Sequence, residues 1–266
     1  MTDRIIQQQI EYYRARANEY DEWFYSGYRL DENTKVLAVK SFQQSFCISL
    51  NCTPLYRKGR YDRSPEINQR WFNEIAAIKN TLHQIGMVDD ILELASGTGI
   101  WTQELLRIGK KITAIDASEE VIAINRSKLN SLSVEYHLID LFTWQPDAAY
   151  DLVFFAFWLS HVPPNLLDSF LTKVYQSVRV GGQVFIIDSC FEPTSTANNH
   201  TLEDDGNIYK TRKLNDGQEF QIVKIFYQPD QLKDKLQKAG CQVEVKLTDN
   251  YFIYAQGKKV ETIRNL

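Results

Sequence analysis

Residues 91–102 read ILELASGTGIWT, and the rest of the chain is arranged around them. Ile91, Leu92, Glu93 and Leu94 form a mostly apolar run of the kind found in a strand covered on both faces. The chain then turns through Ala95, Ser96, Gly97, Thr98 and Gly99, and apolar residues recur at helical spacing across 100–108. Strand, glycine turn and helix together open a βαβ unit. Glycine at 97 and 99 leaves space that a side chain would fill, so a ligand can approach the backbone there. The helix start offers N–H groups to polar or anionic ligand atoms. Thr102 stands where the dinucleotide fingerprint G-x-G-x-x-G has its third glycine, so the turn alone is a weak signal.

Later strands strengthen it. The run 111–115 ends in Asp116, and a carboxylate at a strand tip can accept two hydrogen bonds from ribose hydroxyls. A third strand, 134–139, leads into Asp140, Leu141 and Phe142. A fourth, 151–157, runs into Trp158, Leu159, Ser160, His161 and Val162, and a fifth, 183–187, follows the turn Gly181-Gly182.

Taken together, Glu93…Gly97-x-Gly99, then Asp116, Asp140-Leu141, YDLVFFAFWLSHVP and VRVGGQVFIID resemble a class I S-adenosylmethionine-dependent methyltransferase. The resemblance covers residues 12–25 and 59 to the end. It implies an α/β fold: a Rossmann-like seven-stranded, mostly parallel sheet with a terminal antiparallel strand and helices on both faces. It also implies S-adenosyl-L-methionine as cofactor. By the same resemblance Glu93 supports the turn beside the cofactor, and Gly97 and Gly99 admit its methionine and ribose portions. Asp116 holds the ribose diol with Ala117 beside it. Asp140 accepts from the adenine amine, with Leu141 or Phe142 on the ring. Phe157 lies under the methyl group, and a tyrosine of the N-terminal helix, with Tyr13 the first candidate beside Tyr12 and Tyr20, closes over the methionine end. Arg16 is a candidate partner for the cofactor carboxylate. Ala95 replaces the first glycine of the family's E/D-x-G-x-G-x-G; it is the smallest change possible, so the pocket is expected to persist.

Composition fits this reading. The 266 residues, 44% hydrophobic and 24% charged, are enough for one sizeable domain. A net charge of −4 gives no electrostatic reason to expect a nucleic-acid partner. No apolar run approaches the ~18 residues of a membrane span, and the N-terminal stretch lacks a signal-peptide core. The expected setting is cytoplasmic, with no membrane partner and with Cys47, Cys52, Cys190 and Cys241 as reduced thiols. Cys47 and Cys52, with no histidine near, make a poor metal site, so no metal is expected.

Along the chain, residues 4–24 read as one N-terminal helix. Residues 26–56 show no clear period and read as an insertion or flexible loop within a helical cap spanning 1–85. Arg60 and Asp62 are candidate pocket residues or a surface ion pair. Ser64 caps a helix opened by Pro65 with Ile67, Trp71, Ile75 and Ile78 on its apolar face. A short helix over 80–85 follows. The core is 86–266, in a single methyltransferase domain. Strand 221–227, helix 228–239 and a last strand 243–256 are expected to finish the sheet.

His161 is the candidate catalytic residue, a general base beside the acceptor or a loop-ordering histidine. His200 is read as a residue near the substrate or, in preference, as a solvated loop histidine. The aromatic stretch 154–158 points to a small-molecule acceptor with an O, N or C nucleophile. The rivals are a non-catalytic S-adenosylmethionine-binding protein and a nicotinamide-dependent oxidoreductase. The missing third glycine and the Asp140 position count against the latter.

Overall fold

The computed structural model describes residues 2–25, 64–197, 200 and 206–260. The expected insertion at 26–56, and Arg60 and Asp62, lie outside the described residues.

At the centre are β1 (Val88–Leu94), β2 (Gly109–Asp116), β3 (Val134–Leu138), β4 (Tyr150–Ala156) and β5 (Val178–Ser189). They are joined by parallel pairing. With β8 (Gln242–Leu247) and β9 (Phe252–Lys258) they form a seven-stranded sheet in the order β3-β2-β1-β4-β5-β9-β8. The strand order reverses between β1 and β4, where open α/β sheets bind ligands at the carboxyl ends of their strands.

Alternation along each strand explains the two-sided core. On β4, Leu152 and Phe154 pack with α3 (Pro65–His83) through Trp71, Ile75, Ile78 and Leu82. Val153 and Phe155 face the other way, toward α6 (Pro164–Ser177) and α7 (Pro229–Lys238) through Phe170, Leu171, Leu232 and Leu236. Ser64 caps α3 as expected, its hydroxyl accepting from Ile67 N at 3.3 Å. Ser118 likewise caps α5 (Glu119–Leu129), accepting from Val121 N. Among the described residues, no helix is long and apolar enough to cross a membrane.

Several expected boundaries move. The N-terminal helix breaks: α1 (Thr2–Ala15) is followed by a 3-10 turn, Ala17–Glu19, and α2 (Tyr20–Phe24). Arg16 lies at the break, buried with its guanidinium over the Tyr12, Tyr20 and Trp23 rings at 5.1–5.5 Å. The helix after the glycine turn is short, α4 (Thr102–Leu105). The separate helix expected at 80–85 is the end of α3.

The expected strand 221–227 is not part of the main sheet. It is β7 (Glu219–Val223), paired with β6 (Tyr209–Lys213) in a two-stranded ribbon. The expected strand 243–256 is two strands. Their turn is tied to α3 by Glu74, which accepts from the Thr248 hydroxyl, Asn250 Nδ2 (2.7 Å) and Tyr251 N (2.9 Å). Helix α1 lies against β7, with Tyr12, Leu214 and Ile222 forming a small core of their own.

Candidate active site

Two clefts meet at the carboxyl end of the sheet. The smaller, about 270 Å³, follows the glycine turn and is lined by Glu93, Ala95, Gly97, Thr98 and Ala156, with Tyr20 at one wall. Glu93 is fully buried and takes a hydrogen bond from the Thr102 side chain, while its Oε2 has no partner. Burial lifts its carboxyl to about 8. A buried, unsatisfied carboxyl beside an open cleft is best complemented by a donor or positive charge on a ligand.

The turn itself is built on backbone only small residues take easily. Ala95, Gly97 and Gly99 all have positive φ, at 54°, 54° and 89°. A Cβ on Gly97 would meet nothing closer than Ala95 O at 4.0 Å, so the space beside it is open. Gly99 is different, because a Cβ there would lie 2.6 Å from Asn125 Oδ1. Its missing side chain makes room for Asn125 on α5. Asn125 is held in turn by Gly97 O, Thr102 Oγ1 and Tyr136 Oη.

Asp116, at the tip of β2, accepts from Gly97 N (2.9 Å) and Ser118 N (3.0 Å). Burial raises its carboxyl to about 6 against those bonds. It therefore joins the glycine turn to the next strand tip. Asp140 is half-buried after β3, accepting from Phe142 N at 2.9 Å.

The larger cleft, about 630 Å³ out to its mouth, lies between α1, the ribbon and the loop after β5. Arg16, Arg212, Lys224, Tyr13, His161 and His200 line it, and Tyr20 is shared with the smaller cleft. Lys224 Nζ is buried against Ser160 Oγ (2.8 Å) and Asp188 Oδ1 (3.3 Å). Phe157 forms part of the wall at φ 57°, a rare backbone state for a bulky residue and a common mark of functional sites. Trp23 stands edge-on to it at 5.3 Å and donates to Ser195 O, tying α2 to the loop across the cleft.

Residues 91–182 match the family described as a methyltransferase domain. Among solved structures, the DhpI–SAH complex is 30% identical, with a TM-score of 0.68, over 97% of this chain and 98% of that one. The chain belongs to the class I S-adenosylmethionine-dependent methyltransferases. The DhpI–SAM–HEP complex is equally similar, at 30% identity, a TM-score of 0.67 and coverage of 96% and 97%. Curated relatives include an uncharacterized methyltransferase of Staphylococcus carnosus, 32% identical over 38% of this chain and 48% of its own length. Another is the malonyl-[acyl-carrier protein] O-methyltransferase of Bacillus cereus, 28% identical over 46% and 45%. A third is the ubiquinone biosynthesis O-methyltransferase of Aromatoleum aromaticum, 28% identical over 45% and 57%. The chain spans about half the length of these curated relatives.

In this methyltransferase the structure gathers Glu93, Ala95 and Gly97 around the smaller cleft, with Asp116 hydrogen-bonded to Gly97. Ala117 follows, its carbonyl accepting from Arg14 Nη2 at 3.4 Å. Leu141 is buried in the core, whereas Phe142 is partly buried and packs on Trp158 at 5.3 Å. Tyr13, Phe157 and His161 line the larger cleft. His200 lines it too, its Nε2 accepting from Lys213 N at 3.0 Å. His161 donates from Nδ1 to Val223 O (2.6 Å), and its Nε2 meets the Tyr13 hydroxyl at 2.7 Å. Burial, then Lys224, push its pKa well below the usual histidine range, so the ring is neutral.

Sequence reasoning missed Gln9, Arg212 and Lys224. Gln9 is buried on α1 and bridges His161 O and Val223 N. Lys224 had a signal, a lysine inside the apolar run QIVKIF, where buried charge needs a reason. Arg212 had none, because only the ribbon brings it to the cleft.

Proposed function

We propose that this chain moves a methyl group from S-adenosylmethionine to an oxygen of a small, negatively charged acceptor held in the larger cleft. The observation that carries the reading is the lining: Arg16, Arg212 and Lys224, with no carboxylate among the described lining residues. Asp188, behind Lys224, offsets one of these charges. The chain as a whole is net negative, so this concentration is local and not a by-product of composition. The accepting atom is oxygen by analogy with the two relatives named as O-methyltransferases.

The smaller cleft fits the cofactor on its own chemistry. Gly97 leaves room against the backbone, and Glu93 presents a buried oxygen without a partner. Asp116 and Asp140 present carboxylates at adjacent strand tips for a sugar and a base, with Phe142 beside the ring. Arg16, in the larger cleft over the Tyr20 ring that both clefts share, is suited to the cofactor carboxylate, with Arg212 and Lys224 on the acceptor's side. The bound cofactor supplies an electrophilic methyl carbon on a sulfonium. The protein's part is to orient and to keep water out. Phe157 and Trp23 wall the cleft, and α1 and the ribbon close it. An ionised acceptor oxygen needs no base, and three nearby cations oppose protonation of His161. Its role is therefore to set Tyr13. Residues 1–85 act as the cap and 86–266 as the cofactor-binding core of one domain, working in the cytoplasm.

The test is methyl transfer from labelled cofactor to matched panels of small anions and their neutral amides or esters. Anions should be methylated, and Lys224→Met should raise the acceptor KM about tenfold or more with cofactor affinity unchanged. Equal use of neutral acceptors would overturn the anionic reading. Cofactor binding with no transfer to either panel would favour a non-catalytic binding protein.

A further inference from the structure

We propose that the acceptor carries a hydrogen-bond donor, a hydroxyl or an amine, alongside its negative charge, and that Tyr13 selects for it. The inference rests on the anionic-acceptor reading above and narrows it.

It follows from the direction of one hydrogen-bond chain. Val223 O can only accept, so His161 Nδ1, at 2.6 Å, must carry hydrogen. A neutral ring then has a lone pair on Nε2 and no hydrogen there. Burial and the cations Lys224, Arg212 and Arg16 all resist a second proton, with only the Val223 carbonyl favouring it. The Tyr13 hydroxyl, 2.7 Å from Nε2, must therefore donate to it. A phenol has a single hydrogen, so what Tyr13 has left for the cleft is lone pairs.

Gln9 keeps the chain from turning over. Its amide donates to His161 O and accepts from Val223 N, clamping the backbone at both ends of the relay. Gln9 and Tyr13 are four residues apart on α1, hence on one helix face. The cleft thus offers two opposite chemistries: cationic groups for an anion, and at Tyr13 a pure acceptor. An oxyanion against Tyr13 would meet lone pairs, whereas a hydroxyl or ammonium would be satisfied. A ligand without a donor brings nothing for those lone pairs to accept.

The test measures binding of propyl phosphate and 3-hydroxypropyl phosphate to the full chain saturated with S-adenosylhomocysteine. The hydroxylated anion should bind about fivefold more tightly, the worth of one ordinary hydrogen bond. Tyr13→Phe keeps the ring and should erase the difference, bringing the ratio of the two affinities to about one. Equal binding of the two by the native chain would overturn this inference and leave the anionic reading standing. Failure of both to bind, with the cofactor analogue bound, would remove the anionic reading and this one with it. A preference that survives in Tyr13→Phe would show that another group reads the hydroxyl.

Discussion

Tyr13 Oη stands 2.7 Å from His161 Nε2, a contact between residues 148 positions apart, one on the N-terminal helix and one just past β4. It couples the N-terminal helix to the strand end under the larger cleft. Removing the imidazole leaves Val223 O without its donor and the Tyr13 hydroxyl without its acceptor.

His161→Ala is accordingly expected to lower kcat/KM for the acceptor by about ten- to a hundredfold, the cost of orphaning buried polar groups. Cofactor affinity should stay within about twofold. Steady-state kinetics beside calorimetry separate the two, and an equal fall in cofactor affinity would show general damage to the fold. His161→Gln should recover part of the loss if the ring's task is to position Tyr13.

Asp116 is bonded to both Gly97 N and Ser118 N, so it shapes the turn, and the proposed function gives it the cofactor's sugar as well. Asp116→Asn keeps the size but loses the charge, and its one amide oxygen can accept from only one of the two N–H groups. Cofactor affinity should fall about tenfold or more, each hydrogen bond to a charged group being worth ~1.5–3 kcal/mol. Unchanged affinity by calorimetry would leave Asp116 as a turn residue alone.

The two turn glycines should fail differently. Gly99→Ala drives a Cβ to 2.6 Å from Asn125 Oδ1, and Asn125, held by three partners, cannot withdraw. A loss of about 2–4 kcal/mol in unfolding free energy is expected. Gly97→Ala meets no protein atom within ordinary contact and should cost only the left-handed backbone, ~1–2 kcal/mol. Its methyl group occupies the open cleft, so cofactor binding should suffer instead. Denaturant melts and cofactor titrations of the pair would distinguish these outcomes.

Glu93 supplies a pH test. Its carboxyl rises from 4.5 to about 8 through burial, so the folded chain keeps a proton that the unfolded chain has released. The associated stability is full below the ordinary glutamate range and is lost as pH rises through about 8. Glu93→Gln should flatten the melting temperature over that window. Native cofactor affinity should climb with pH up to the same point, since the carboxyl must ionise to meet a positive ligand group. In Glu93→Gln that climb should vanish; its persistence would assign the titration to another group.

What the sequence disclosed was local. Residues 91–99, Asp116 and Asp140 declare themselves because strand, turn and acidic tip fall within a few residues of each other, and their order along the chain dictates their order in the sheet. Ser64 was legible as a cap for the same reason. The break at Arg16 was not, because the apolar period runs through it and only the three rings around its guanidinium show why the chain bends. The ribbon was mistaken for a sheet strand because β7 has ordinary strand alternation, and pairing partners are not written in alternation. The larger cleft was hidden most deeply: Arg16, Arg212 and Lys224 come together only when α1 lies on β7.

Tyr20 belongs to the walls of both clefts. A ring shared in this way links the two clefts through a side chain as well as through whatever passes between them. With the methyl donor in one cleft and the acceptor in the other, as proposed, any tilt that one imposes on the ring would be felt by the other, and thermodynamic reciprocity would return it in equal measure. Efforts to retune this enzyme for a new acceptor at that position would therefore shift its grip on the donor as well.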